Sequence, residues 1–235
     1  MGNKVVKFLK EFKEIVIVFI CVFVFRSSFL NWYLIPSGSM LPTLKIGDHV
    51  VVNKLSYGFM LPFMETRIMS WDKPKKGDIV VFQGPSSEGA QVLIKRVIAT
   101  AGDYVSFENG ILKINGIPSK ETIELNRSVL EDIGNNDDLS DYLLINESGF
   151  SKLPYHILRK KKGGVTSAEK KTWIVPEGKI FCIGDNRDNS YDGRFWGFID
   201  QSSVYGRAFL ISYSTGDKGT WPHFRNERWF MKLTN

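Results

Sequence analysis

The segment Ile35-Pro36-Ser37-Gly38-Ser39-Met40-Leu41-Pro42-Thr43-Leu44 sets two hydroxyls around a glycine, with a proline on each side. Glycine permits unusual backbone angles and close approach, and proline fixes φ and stiffens the chain. Such a segment can hold a serine hydroxyl out of a regular strand with a backbone N–H beside it, the combination that a nucleophile and an oxyanion hole need. The same Ser-Gly-Ser pattern is also an ordinary turn, and on these residues alone both readings stand.

A serine nucleophile needs a base. The three histidines, His49, His156 and His223, are isolated, and none lies in an Asp- or Gly-rich motif. Lysine is the alternative, but its ordinary pKa near 10.4 keeps it protonated at neutral pH unless burial strips its water away. Lys95 lies in Val92-Leu93-Ile94-Lys95-Arg96-Val97-Ile98-Ala99-Thr100. On a strand it shares a face with Leu93 and Val97, and that face points toward a core. The alternatives are a lysine whose stem snorkels to solvent, or a strand on which Arg96 faces inward instead.

A third segment, Gly184-Asp185-Asn186-Arg187-Asp188-Asn189-Ser190-Tyr191-Asp192-Gly193-Arg194, follows the apolar run Ile180-Phe181-Cys182-Ile183. Its density of Asp, Asn and Arg suits a loop braced by side-chain-to-backbone bonds and Arg–carboxylate pairs. Its spacing resembles a calcium loop but lacks the closing glutamate. No metal or cofactor is expected. Of the two cysteines, Cys21 lies in an apolar run and Cys182 reads as a small hydrophobe, so no disulfide framework is expected.

These segments need a scaffold. Downstream of residue 35 short β-branched and aromatic runs alternate with Gly, Pro and Asp, which predicts a mainly β, antiparallel domain. Asn109-Gly110 marks a hairpin. Residues 35–119 and 172–235 read as the β catalytic core, and 120–171 as an inserted, less regular β-rich subdomain. Glu121 to Glu147 holds eight acidic residues and one basic, and Lys152 to Lys171 seven basic and one acidic. The two blocks either attract each other or are solvated faces.

Residues 15–25 are eleven apolar residues in succession, preceded by Lys4, Lys7, Lys10 and Lys13. Extended to 8–30, the run reaches the roughly 20 residues of a membrane span. The lysines place residues 1–14 in the cytoplasm and the rest outside the inner membrane, against lipid. A cleaved signal peptide has the same basic start, but no small-x-small cleavage site follows the run. The net charge of +6 is not concentrated in a nucleic-acid-binding motif, so no nucleic-acid partner is expected.

Four blocks, in order, resemble the bacterial type I signal peptidases (leader peptidases): 36–44 PSGSMLPTL, 47–58 GDHVVVNKLSYG, 94–103 IKRVIATAGD and 184–197 GDNRDNSYDGRFWG. The resemblance implies Ser39 as nucleophile and Lys95 as general base. It implies Ser37 Oγ and the Ser39 N–H as oxyanion hole, Ser190 as the residue orienting the lysine, and Asp185, Arg187 and Arg194 as loop braces. Signal peptides of exported preproteins are the implied substrates. Ile35, Pro36, Met40, Leu93 and Ile94 are the candidate lining for their small residues at −1 and −3. Ala99-Thr100-Ala101 and Gly193 depart from the family pattern, where Gly, an apolar residue and Pro, and Ser respectively are usual. The rival readings are a self-cleaving repressor domain, a specialised processing peptidase, and a catalytically silent membrane-tethered binding protein.

Overall fold

The computed structural model describes residues 12–19, 22, 28–60, 67–85, 91–108, 110–133, 139–162, 164, 171–216 and 223–233. Its largest sheet runs in the order Leu30–Leu34, Asp48–Asn53, Val204–Gly216, Ile79–Gln83, Val92–Thr100, Lys179–Ile183, Ile199–Asp200. Two short strands, His223–Phe224 and Met231–Lys232, add to Val204–Gly216, and every pairing is antiparallel.

Both faces of this sheet are covered, which explains its continuous apolar runs. Along Ile79–Gln83, Ile79 and Val81 join a core with Ile35, Met40, Leu44, Val50, Val52 and Ile211. Val80 and Phe82 face the other way, into a core with Tyr57, Val97, Ile180, Cys182 and Val204. The alternation is the two-residue period of a strand, with a cluster on each side.

A four-stranded sheet pairs Thr172–Ile174, Tyr104–Glu108, Ile111–Ile114 and Ile117–Pro118. Glu108 pairs with Ile111, as the hairpin signal predicts; Asn109 itself lies outside the described residues. A three-stranded sheet pairs Lys120–Ile123, Tyr142–Ser148 and Tyr155–Lys160. The first of these strands, Lys-Glu-Thr-Ile, has no apolar alternation, and its pairing with Tyr142–Ser148 holds it in place. An ion pair joins the two charge blocks: Arg159 donates to both carboxylate oxygens of Glu121, at 3.2 and 2.5 Å.

Residues 12–19 are helical, and the side chains of Phe12, Ile15, Val18 and Phe19 are exposed. No helix among the described residues is long and apolar enough to cross a membrane. Residues 8–11, 20, 21 and 23–27 of the expected 8–30 anchor, Cys21 included, lie outside the described residues.

The C-terminal segment locks the turn that follows Ser39. Buried Arg228 donates to the Thr43 carbonyl at 3.0 Å and to both carboxylate oxygens of buried Asp48 at 3.0 and 2.5 Å. Asp48 also accepts the Lys45 N–H at 2.8 Å and the Ser214 hydroxyl at 2.6 Å.

Candidate active site

Pairing of Leu30–Leu34 with Asp48–Asn53 continues to Ile35, whose N–H reaches Asp48 O at 2.9 Å. The chain then leaves the sheet. Ser37 is extended, and Gly38–Met40 make one tight helical turn. Met40 and Leu41 pin that turn by entering separate cores, so Ser39 sits on a short bridge between two buried anchors. Full burial of a side chain of this size contributes about 1.5–3 kcal/mol.

Lys95 lies mid-strand in Val92–Thr100, opposite Val80, and is 4% exposed. Its Nζ donates to Ser39 Oγ at 2.6 Å. Burial beside the Val80, Val97 and Cys182 core drives the lysine pKa below its ordinary value, opposed by the Asp192 and Asp185 carboxylates and aided by Arg194. A neutral amine against a hydroxyl can accept that hydroxyl's proton.

Arg96, the next residue, is fully buried on the opposite face. It donates to both oxygens of Asp185, at 2.8 and 2.7 Å, and to Gly77 O at 2.9 Å. Asp185 also accepts the Thr43 hydroxyl at 2.5 Å. This carboxylate therefore joins the strand of Lys95, the segment after Ser39 and the 184–194 loop.

The loop holds the serine turn directly. The Asn186 backbone N–H donates to Ser39 O at 3.1 Å, and its side-chain Nδ2 donates to Gly38 O at 3.0 Å. Gly184 permits the approach, because a Cβ there would lie 2.2 Å from Ser190 Oγ and 2.5 Å from Ser39 O. Gly193 is similarly confined: a Cβ would sit 2.8 Å from Cys182 O and 3.0 Å from the Phe181 ring. Asp192 accepts from Arg194 Nε and Nη2, each at 2.8 Å, and from the Gly184 N–H at 3.0 Å.

Ser37 Oγ lies 3.5 Å from Ser39 Oγ. Ser190 packs against Gly184 with its hydroxyl buried, but no hydrogen bond joins it to Lys95 or to any other described residue. Of the suggested substrate lining, Ile35 and Met40 are sealed into the sheet core, Leu93 and Ile94 are half-buried on opposite faces, and Pro36 is exposed. Arg187 is buried against Glu147 of the three-stranded sheet. The sequence assigns no role at the site to Asn186, Gly184 or Glu147, and it offers Arg96 only as an inward-facing alternative to Lys95, whereas both are buried. Gly184 and Asn186 lie inside the third segment and Arg96 beside Lys95, whereas Glu147 carries no local signal. No His, Cys, Asp and Glu cluster suited to a metal ion occurs among the described residues.

A desolvated lysine amine against a serine hydroxyl, held on an antiparallel β scaffold, is the arrangement of a serine hydrolase. Residues 8–213 match the family described as signal peptidase, peptidase S26. The chain is 31% identical to signal peptidase I of Buchnera aphidicola subsp. Baizongia pistaciae over 94% of its own length and 81% of the relative. It is 34% identical to signal peptidase I of Pseudomonas aeruginosa over 85% and 70%, and 30% identical to that of Aquifex aeolicus over 87% and 84%. The chain belongs to the signal peptidase, peptidase S26, family.

Proposed function

We propose that the chain is a membrane-anchored serine endopeptidase that removes N-terminal signal peptides from exported preproteins. The observation that carries this is the 2.6 Å contact between buried Lys95 Nζ and Ser39 Oγ. In the reaction, neutral Lys95 takes the proton from Ser39, and Ser39 Oγ attacks the carbonyl at the end of the signal peptide. The oxyanion is held by the Ser39 N–H and Ser37 Oγ. Lys95 passes its proton to the leaving amine, and water then hydrolyses the acyl-enzyme. Asp185, Arg187 and Arg194 keep the loop in register, and Ser190 is assigned to orienting the lysine during the reaction.

Strand geometry supports the way a substrate enters. Lys179–Ile183 pairs with Val92–Thr100 only from Arg96 onward, so that pairing leaves one edge of 92–95 open. An extended peptide can add there, next to Ser39, by main-chain hydrogen bonds.

The apolar run 15–25 and the exposed apolar side chains of helix 12–19 support a single membrane span, N-terminus in the cytoplasm and catalytic domain outside the inner membrane. The 35–119 and 172–235 segments are the catalytic core, and 120–171 an inserted subdomain. The test is cleavage of a purified preprotein by the full chain in lipid, with the new N-terminus sequenced. Cleavage after the signal peptide supports the reading, and an intact preprotein overturns it.

A further inference from the structure

The proposed reaction makes no use of the three-stranded sheet, yet that sheet touches the Ser39 turn and the 184–194 loop together. Leu41, two residues beyond Ser39, is enclosed by Tyr142, Leu144 and Leu158. Leu158 donates its N–H to Asp185 O at 2.9 Å and accepts the Arg187 N–H at 2.8 Å.

Between them lies a closed polar circuit. Glu147, fully buried, receives both terminal nitrogens of Arg187, Nη1 at 2.9 Å, and the Tyr155 hydroxyl at 2.6 Å. The Tyr155 ring lies under the Arg96 guanidinium, 4.0 Å from its centroid. Arg96 adjoins Lys95 in the chain and binds Asp185, two residues before Arg187. The circuit therefore returns to the loop that holds the Ser39 carbonyl. An apolar pair would fill the same space without the desolvation cost of two buried charges. What it would lack is direction, since a bidentate carboxylate–guanidinium contact fixes angle as well as distance.

Resting on the functional reading above, we propose that Glu147 is a positioning residue for the Ser39/Lys95 reaction. It acts through Arg187 on the 184–194 loop, and through Tyr155 and Arg96 on the strand that carries Lys95. The role of the three-stranded sheet is then to set the geometry of a site to which it contributes no reacting group.

Glu147→Gln keeps the volume and an acceptor for Tyr155 but removes the charge, and Tyr155→Phe removes one hydroxyl only. Preprotein cleavage is measured for the full chain and each variant at a temperature where circular dichroism shows every protein folded. The expected result is a kcat lowered roughly ten- to hundredfold in Glu147→Gln with KM within about twofold, as for a small misplacement of reacting groups. Arg187→Met combined with Glu147→Gln should fall no further than either alone, because the two act as one unit. Wild-type kcat in folded Glu147→Gln overturns the proposal, since a role in folding alone leaves turnover per folded molecule unchanged. If Glu147→Gln does not fold, wild-type kcat in Tyr155→Phe overturns it. A wild-type chain that cleaves no preprotein overturns the functional reading itself, a separate outcome.

Discussion

Lys95 and Arg96 are adjacent on one strand, point to opposite faces, and are both buried. Lys95 is 4% exposed beside an apolar core and meets a hydroxyl, whereas Arg96 is 0% exposed and meets a carboxylate. One peptide step thus separates an unpaired amine from a paired guanidinium. Only the first is pushed toward neutrality, because Arg96 keeps its charge against Asp185.

Removing either member of the dyad should end the reaction. Ser39→Ala and Lys95→Ala are each expected to abolish preprotein cleavage with the circular dichroism spectrum retained. Full activity in either would rule out the assigned roles.

Activity should show an acid limb set by Lys95. The base works only when neutral, so kcat/KM rises with pH through the lysine's lowered pKa, at a pH below its ordinary 10.5. A rate that falls as the pH rises through this range would contradict a neutral lysine base.

The same shift has a stability consequence. Between the lowered folded pKa and the unfolded 10.5, the unfolded chain binds more protons, so stability rises with pH in that window. Lys95→Met removes this penalty. It should raise Tm at pH 7 while eliminating cleavage, and the gain should shrink as pH approaches 10.5. A lower Tm for Lys95→Met at pH 7 would show that the buried amine is not a burden.

Gly184→Ala should lower kcat by roughly a hundredfold or more, since the new methyl would enter the space of Ser190 Oγ and Ser39 O and shift the nucleophile. Asn186→Ala is milder. It keeps the backbone bond to Ser39 O and loses the side-chain bond to Gly38 O. A net loss of about 0.5–1.5 kcal/mol in the turn, or roughly twofold to twelvefold in kcat, is expected from steady-state kinetics.

Replacing His49, His156 and His223 together should leave catalysis largely intact. A dead triple variant that is still folded would show that a histidine, not Lys95, is the base.

The scaffold is legible in the sequence because its signals are local, whereas Lys95 is legible as a strand residue and takes its role from the family resemblance. Leu93 and Val97 flank Lys95 at the period of a strand, and the apolar runs between Gly, Pro and Asp mark most of the strands observed. Ser39 is ambiguous in sequence because its turn is made by distant groups, with Leu41 buried against Leu158 and Gly38 O bonded by Asn186. Glu147 is illegible for the same reason. Within an acidic block it reads as one more solvated carboxylate, and its partner Arg187 stands 40 positions away. Lys120–Ile123 becomes a strand through pairing alone, without an apolar face to announce it.

The clamp of Arg228 on Thr43 and Asp48 bears on when this enzyme can first act. A ribosome makes Ser39 and Lys95 early, the Asn186 loop much later, and Arg228 later still. Until that arginine emerges, buried Asp48 lacks its counter-charge and the segment after the nucleophile lacks its tie. A nascent chain that has not reached Arg228 therefore carries Ser39 and Lys95 without the clamp that follows the serine. Because Arg228 is made so long after Ser39, its tie on the serine turn can form only once the 184–194 loop is already available.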